Sequence, residues 1–354
     1  MTMPLCPFYD RFRAAHHRHS VIGTGAMTKR ERIQAALQRK PVDRPPVSFW
    51  RHFPEIDDNP LALAEALLAF HTRYDLDFIK VMPTGVYCVE DWGCRVAYRG
   101  GVDGSRVCVD HAVTRPEDWG KIRPLDLEKG ALGRELQCLR EVVKGRPDGA
   151  PVLQTIFSPL TIAKKLAGEE KFLAGLHERP AVIHGALEVI TETMTRYAFA
   201  CLESGADGIF FATQMAAYGM MTVGEHRIFG EPYDRRVLEE VAERSALSVL
   251  HVHGLGIGFD VMATYPVPAI NWHDRRTSPS LREAQGLYRG AVVGGLNEVE
   301  TLRDGPEEAV RDQVKDALGQ TGGLGHILAP GCVVPLDVPE THLSAIRTTV
   351  EEWK

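Results

Sequence analysis

The sequence predicts an α/β protein folded as a single (β/α)8 TIM barrel, and three observations lead to this prediction. Eight short apolar runs recur along the 354 residues, segments of helical length separate most of them, and no Gly-, Ser- or Pro-rich linker divides the chain. Alternating strands and helices imply a parallel sheet, and eight such units over this length imply a closed barrel. A doubly wound open sheet is the alternative, but no GxGxxG follows the first strand.

The predicted elements follow a regular order from the N-terminal helix onward. That helix starts at Thr28, whose side chain can cap it, and it forms an extension ahead of the barrel. The predicted strands cover residues 46–50, 77–82, 151–157, 208–213, 248–254, 269–272, 291–295 and 326–329. The predicted helices include 60–74, 125–144, 179–204 and 232–247. The segment 95–114 alternates around glycine-rich turns, and we expect it to form a β-hairpin inserted after the second strand.

Composition and charge argue against several classes of protein. A net charge of −6 does not suit a nucleic-acid or anionic-membrane partner. No apolar run approaches the roughly 18 residues of a membrane span. The seven cysteines are scattered without CxxC spacing, so we expect reduced thiols and a cytoplasmic protein. Residues 1–26 are basic and His-rich; we expect a poorly ordered or loosely docked extension ahead of a barrel domain at 27–354.

The stretch SVLHVHG at 248–254 carries the clearest chemical signal. Side chains alternate faces along a strand, so His251 and His253 project together from its end. Two imidazoles on one face form half of a metal site, and Cys332 in APGCVVP is the candidate for the third ligand. In the alternative interpretation, one histidine is packed in the core, the other lines a pocket without metal, and Cys332 is a small buried apolar residue.

Polar side chains gather at the carboxyl ends of the predicted strands. The residues at or just past these ends are Arg51, Met82, Thr213, His251, His253, His273, Asp274, Asn297 and Cys332. Barrel enzymes build their sites at this rim, so the coincidence favours the metal interpretation. The predicted fifth and eighth strands are not neighbours, and the three ligands must therefore reach inward across the mouth.

Further rim residues are candidates for catalysis and substrate binding. His273 or Asp274 could act as a general acid or base, or orient a metal-bound imidazole, whereas Asp274 could instead cap a helix or pair with Arg275. The candidate substrate-binding residues are Arg51, Lys80, Tyr87, Gln154, Thr213, Gln214 and Tyr218. The alternative for Arg51 is a surface ion pair, and for Lys80 a structural pair with Asp77 or Glu90.

Five stretches together resemble the uroporphyrinogen decarboxylase superfamily. They are RPPVSFWR, YDLDFIKVMPTGVYCVEDWG, LESGADGIFF, LHVHG and APGCVVPLDVPETH, and the resemblance covers essentially all of 27–354. It implies a (β/α)8 barrel with its site in the mouth. The superfamily contains metal-free decarboxylases and zinc-dependent methyltransferases that act with methylated corrinoid proteins and thiols.

The decarboxylase pattern fails at individual positions. The family's RQAGRY motif supplies two arginines, whereas SFWRHFPE supplies only Arg51. The aspartate that holds the pyrrole N–H groups aligns with Met82, and a tyrosine falls near Lys165. Serine and histidine positions become Thr213 and Cys332. Without the aspartate, the electrophilic assistance that decarboxylation needs is lost.

The methyltransferase branch fits better. Its His-x-Cys motif and a later cysteine ligate zinc, and the corresponding residues here are His251, His253 and Cys332. Histidine is an acceptable zinc ligand in place of the middle cysteine. Two neutral imidazoles and one thiolate leave about +1 on the zinc, against about zero with one imidazole and two thiolates. This favours an oxygen-bearing substrate or a more acidic thiol as the acceptor.

The sequence thus predicts a zinc-dependent methyltransferase of uroporphyrinogen decarboxylase-like type. The expected reaction moves a methyl group between a small substrate or thiol and a corrinoid or similar carrier. A corrinoid protein is implied as partner by the resemblance alone, and we also expect a homodimer. The alternatives are a metal-free decarboxylase of uroporphyrinogen or another carboxylated substrate, and a non-catalytic tetrapyrrole- or corrinoid-binding protein.

Overall fold

The barrel is built from a curled parallel sheet whose strands follow one another in chain order. The structure is a computed structural model that describes residues 26–245 and 247–353, so the expectation for the first 25 residues lies outside the described part. The strands are β1 (Ile79–Val81), β2 (Arg95–Tyr98), β3 (Arg106–Asp110), β4 (Val152–Phe157), β5 (Gly208–Thr213), β6 (Val249–Val252), β7 (Ala269–Trp272), β8 (Ala291–Leu296) and β9 (His326–Pro330). Seven of them form the sheet in the order β1-β4-β5-β6-β7-β8-β9, and every pairing is parallel.

The segment predicted as the first strand occupies the remaining position between β9 and β1. It forms one isolated parallel bridge, Val47 to Leu328, instead of a ladder. Ser48 N–H donates to the Leu328 carbonyl at 3.0 Å, and Asp77 N–H donates to the Val47 carbonyl at 2.7 Å. Two prolines come directly before Val47 and have no N–H to donate, which shortens the ladder here. The segment still contacts both edges of the sheet and closes the barrel.

Helices surround the sheet between successive strands. They are α1 (Lys29–Leu37), α2 (Pro60–Tyr74), α3 (Tyr87–Glu90), α4 (Gly130–Gly145), α5 (Pro159–Ala167), α6 (Glu169–Glu178), α7 (Pro180–Glu203), α8 (Val223–Phe229), α9 (Glu231–Ala242), α10 (Phe259–Met262), α11 (Leu281–Leu287), α12 (Glu307–Thr321) and α13 (Glu340–Glu352). The predicted extension is α1, capped by Thr28 with Glu31 in a capping box. Among the described residues, none of the helices combines the length and the apolarity needed to cross a bilayer.

Helix α4 begins five residues later than the sequence pattern indicates. The Asp91 carboxylate, from the turn after α3, accepts hydrogen bonds from the N–H groups of Ala131 and Leu132 at 2.8 and 3.0 Å. These are unsatisfied donors of a helix's first turn, so a distant carboxylate performs the capping. No residue beside Gly130 supplies a side-chain cap, and the start of the helix could not be read locally.

The predicted hairpin is present as β2 and β3, paired antiparallel after β1. Its tip lies over the carboxyl ends of the barrel strands. Leu336 N–H, in the loop after β9, donates to the Val102 carbonyl at 2.8 Å. Arg106 donates to Asp57, in the loop that follows the barrel-closing segment, at 2.8 Å. The hairpin therefore forms part of the wall around the barrel mouth.

Candidate metal centre

His251 points into the barrel from the middle of β6. Its neighbour in register is Asn271 on β7, and the Nδ1 of His251 lies 2.6 Å from the Asn271 Oδ1. The Asn271 amide nitrogen donates to the carbonyls of Val293 and Pro330 at 2.8 and 3.1 Å, which identifies its oxygen as the atom facing the imidazole. His251 therefore carries its proton on Nδ1 and presents Nε2 with a free lone pair.

The three predicted metal ligands meet in the mouth. The Cys332 Sγ lies 3.8 Å from His251 Nε2 and 3.6 Å from His253 Nδ1. One ligand atom from each of the three residues lies within 4.8 Å of the others. Tetrahedral zinc with these ligands has ligand atoms separated by roughly 3.3–3.8 Å. The two sulfur-to-nitrogen distances fall within this range.

The electrostatics of the cluster favour the protonation states that a metal requires. Burial opposes ionisation of Cys332, but the imidazoles of His251, His253 and His273 around the sulfur outweigh it and hold the pKa of the thiol well below its ordinary value. Burial lowers the pKa of His251, so its imidazole is neutral. A thiolate beside a neutral imidazole is the donor set that binds zinc and related ions.

His273 lies directly beside the three ligands. Its Nε2 is 3.4 Å from the His253 Nδ1, and its Nδ1 is 2.8 Å from the buried Glu298 carboxylate. Burial lowers the pKa of His273, but hydrogen bonds to Cys332 and Glu298 outweigh it and raise the pKa to about 9. The imidazole therefore holds a proton at the edge of the cluster, and its acid–base or orienting role stays a prediction.

Lys80 projects into the barrel interior below the cluster. Its Nζ lies 4.5 Å from the centre of the Phe210 ring and 5.5 Å from that of Trp50. Burial lowers the pKa of Lys80 to about 7. The two carboxylates considered as structural partners are occupied elsewhere: Asp77 binds Arg32 and Arg44, and Glu90 binds Arg134. Within the described residues Lys80 has no carboxylate in an ion pair, which leaves it available to an anionic group.

Three predicted substrate-binding residues face away from the mouth. Phe210 and His251 stack inside the barrel, so their neighbours in sequence on each strand face the helices. Gln154 pairs in register with Ile209 and contacts Tyr197 of α7, and Thr213 contacts Ser158 at the start of α5. Tyr87 is fully buried and donates to the Thr155 carbonyl at 2.7 Å. Their positions contradict the predicted contact with substrate.

Arg51 and Asp274 are also engaged outside the cluster. Arg51 donates to the Leu336 carbonyl at 3.3 Å and packs on Phe53. Asp274 accepts from Gly295 N–H at 2.9 Å and faces Arg275, so the alternative of a structural carboxylate describes it better than a catalytic one. The predicted carboxylate clamp and second catalytic residue therefore have no support in these contacts.

The remaining predicted residues lie in the loops that follow β5. Gln214 is half-buried directly after the strand, and its N–H donates to Thr161 Oγ1 at 2.9 Å. Tyr218 is 42% exposed, and its hydroxyl donates to Asp260 at 3.1 Å beside the bridge between Ala217 and Ile257. Both border the mouth, and neither contacts the cluster through an observed hydrogen bond.

Sequence reasoning missed three residues that shape this site: Asn271, Glu298 and His52. Asn271 has the same strand parity as His273, two positions later, and this alternation could have indicated it. Glu298 directly follows Asn297, which the sequence places at a strand end. Burial, with a smaller contribution from Lys80, lowers the pKa of His52 to about 4, and its Nδ1 is buried without a hydrogen-bond partner.

The fold and the cluster define a (β/α)8 barrel protein with a candidate imidazole–thiolate metal centre in its mouth. The chain belongs to the uroporphyrinogen decarboxylase (URO-D) family, whose sequence profile matches residues 28–353.

The relatives of the chain include members of both branches of this family. It is 25% identical to a methylcobamide:CoM methyltransferase, MtbA, of Methanosarcina mazei, with 92% of this chain and 98% of that protein covered. It is 22% identical to a uroporphyrinogen decarboxylase of Chloroflexus aggregans, with 92% and 96% covered. Among solved structures, a methyltransferase from Methanosarcina mazei aligns with a TM-score of 0.81 and 25% identity, covering 92% of this chain and 99% of that one.

Proposed function

We propose that this protein is a zinc-dependent methyltransferase that transfers a methyl group between a corrinoid carrier and a small acceptor, with a thiol as the simplest candidate. The convergence of His251, His253 and Cys332 within 4.8 Å in the barrel mouth is the observation that carries this proposal. Its relatives include methylcobamide:CoM methyltransferases over nearly their whole length, which supports the reaction class.

The three residues would hold zinc with one position left open for the acceptor. Bound there, zinc would lower the pKa of an acceptor thiol or hydroxyl and make it nucleophilic near neutral pH. The residues fit the ion because Asn271 fixes the His251 tautomer and the low pKa of Cys332 supplies a thiolate. Zinc bound by two neutral imidazoles and one thiolate carries a net charge of about +1, which favours an acceptor with a negative charge of its own.

His273 and Glu298 would serve the acid side of the acid–base step, because an imidazole that already carries its proton can donate from Nε2 to the bound acceptor but cannot take up the acceptor's own proton. Nε2 of His273 faces the cluster while Glu298 holds Nδ1, so the imidazole can exchange a proton at Nε2 without turning. Lys80 would bind an anionic group of the acceptor, because it is buried without a carboxylate in an ion pair among the described residues. These roles assign the acid–base step and the charge recognition to different side chains.

Metal content and methyl transfer together test the proposal. We expect Cys332→Ala and His251→Ala to contain one equivalent of zinc less than the wild type. We also expect both to lose methyl transfer from methylcobalamin to small thiols by at least about 100-fold. His177→Ala, at an exposed histidine that belongs to neither candidate metal cluster, is the matched control and should retain both properties.

Equal zinc content in the wild type and both variants would overturn the metal site. Turnover of a uroporphyrinogen isomer that survives chelation would instead establish decarboxylation. Decarboxylation has little support here. Arg51 donates to the Leu336 carbonyl, and Met82 occupies the position of the aspartate that decarboxylation needs. A spectral change on adding cobalamin with no product would indicate a binding protein.

A further inference from the structure

A second cluster of metal-binding side chains lies on the hairpin insertion, outside the barrel mouth. It consists of Cys94, directly before β2, Cys108 on β3, and His111, directly after β3. One ligand atom from each residue lies within 4.8 Å of the other two. We propose that these three residues form a separate structural site for a soft divalent ion such as zinc.

The backbone of the hairpin brings the three residues together. Val96 pairs with Cys108, Arg95 pairs with Asp110, and the register shifts between these two pairs. This irregularity places the turn before β2 next to the residues after β3, although 14 positions separate Cys94 from Cys108 in the sequence. Cys94 is buried, while Cys108 and His111 are partly exposed, so an ion can enter from solvent.

The surrounding hydrogen bonds prepare Cys94 and His111 to act as ligands. Ala112 N–H donates to the Cys94 Sγ at 3.3 Å, which stabilises a thiolate. The Nδ1 of His111 lies 3.0 Å from the Lys165 carbonyl and must donate to it, so Nε2 carries the free lone pair. Gly168 lies beside this nitrogen, where a Cβ would sit 3.1 Å from Nε2. The pattern is the one that orients histidine ligands of metals.

The two sulfurs lie close enough together to bind one cation, with the histidine as the third ligand. Two thiolates and one neutral imidazole around a divalent ion give a neutral unit, which suits a partly buried site. This donor set selects zinc and similar ions over magnesium or calcium.

The position of the site assigns it a structural role. It ties the base of the hairpin to the end of α5 through the Lys165 carbonyl, while the tip of the hairpin contacts the loops around the mouth. At Gly104 of the tip, a Cβ would lie 2.8 Å from the Cβ of His52. An ion at the base would hold the wall of the mouth in place without contacting the reacting groups.

The test counts zinc in a background that lacks the barrel centre. We expect purified, reduced wild type to bind two equivalents, Cys332→Ala one, and Cys332→Ala combined with Cys108→Ser none. The combination of Cys332→Ala with Val107→Ser is the matched control, because Val107 is an exposed neighbour on β3, and it should retain one equivalent. Cobalt substitution in the Cys332→Ala background should give a thiolate-to-metal charge-transfer band that disappears when Cys108→Ser is added, because the hairpin site then binds no ion.

Several outcomes would overturn the inference. Cys332→Ala could bind no zinc, Cys108→Ser and His111→Gln could leave its zinc content unchanged, or Cys94 and Cys108 could form a disulfide that survives purification with reductant. If wild type and Cys332→Ala each bind one equivalent that Cys108→Ser removes, the hairpin site stands and the barrel centre fails. Hydrogen exchange checks that the variants remain folded. In these variants and after chelation, only the amides of β2 and β3 should exchange faster than in the zinc-bound protein.

Discussion

Asn271 is the residue on which the geometry of the barrel cluster depends most. Its amide oxygen accepts from His251 while its amide nitrogen holds the backbone of β8 and β9. One side chain thus links the strand that carries two candidate ligands to the strand that precedes the third. It acts through His251 and is a positioning residue.

We expect Asn271→Leu to weaken zinc binding by about 10- to 100-fold, because the His251 ring loses the acceptor that fixes its tautomer. Asn271→Asp retains an oxygen beside Nδ1 and should recover a large part of the affinity, even though it loses the bonds to the Val293 and Pro330 carbonyls. Competition with a chromogenic chelator measures both affinities. Equal affinity of Asn271→Leu and the wild type would show that His251 is oriented by other contacts.

Asp274 provides a contrasting case, in which a buried carboxyl next to the site serves the backbone. Burial raises its pKa to about 7, against the opposing effects of Gly295 N–H and Arg275. Its folded pKa exceeds the unfolded value near 3.8, so this carboxyl stabilises the fold most at acid pH and loses that contribution as the pH rises from about 4 to 7.

Relative to Asp274→Asn, the wild type should therefore lose about 2 kcal/mol of unfolding free energy between pH 5 and pH 8. Urea unfolding at the two pH values measures the difference. Methyl transfer by Asp274→Asn should stay within a few-fold of the wild type. A drop of 100-fold or more in the folded variant would restore Asp274 as a catalytic residue.

At the scale of elements, the turn after α3 supports a helix that is distant in sequence. Asp91 caps α4 from outside it, and a Cβ at Gly130 would collide with its carboxylate. The close approach requires glycine at position 130, where φ is +57°. Asp91 therefore joins the turn that follows α3 to the start of α4.

Replacing Asp91 by alanine should cost about 1–2 kcal/mol of unfolding free energy, because two N–H groups of α4 lose their acceptor. Asp91→Asn keeps an acceptor oxygen for one of the two N–H groups and should lose about half of that amount. Asp58→Ala, at an exposed carboxylate in the loop after the closing segment, is a control for removing one negative charge. Chemical denaturation gives the three values, and equal stability of Asp91→Ala and Asp58→Ala would contradict the capping role.

These elements also show how far the sequence could be interpreted. Strand alternation placed His251 and His253 on one face, and the order of strands placed Cys332 at the same mouth, as the structure confirms. Thr213, at a strand end, and Gln154, within a strand, are both predicted to bind substrate. Only the pairing register, Thr213 with Val252 and Gln154 with Ile209, reveals that they face the helices. Register depends on the neighbouring strand, so one segment cannot disclose it.

At the scale of the whole molecule, closure of the barrel relies on a cluster of charged side chains around Asp77, which lies just before β1. The fully buried Asp77 accepts from Arg32 of α1 and from Arg44 at 2.6 Å each, and from Val47 N–H at 2.7 Å. The N-terminal helix, the closing segment and β1 thus meet at one carboxylate. Hydrogen bonds on all sides make such a buried ion pair tolerable.

Removing this carboxylate should destabilise the protein strongly. We expect Asp77→Ala to lose about 3–5 kcal/mol, because it leaves the Arg32 guanidinium buried beside the closing segment with one partner fewer. Glu128→Ala breaks an exposed ion pair with Arg140 and should change stability by less than about 1 kcal/mol. Urea denaturation of the two variants makes the comparison, and similar midpoints would show that closure does not depend on Asp77.

The weak pairing of the closing segment at Val47 means that a metal ion in the barrel centre would also affect stability. In the described residues, a single bridge joins the closing segment to β9. Cys332 follows β9 by two residues, whereas His251 lies on β6, across the barrel from the closing segment. An ion bound to both residues would cross-link two parts of the barrel that are 81 residues apart in sequence. Zinc at 100 times its dissociation constant would then add about 2.7 kcal/mol to the stability of the folded chain. Removal of the metal would thus make the folded protein less stable as well as abolish the proposed methyl transfer.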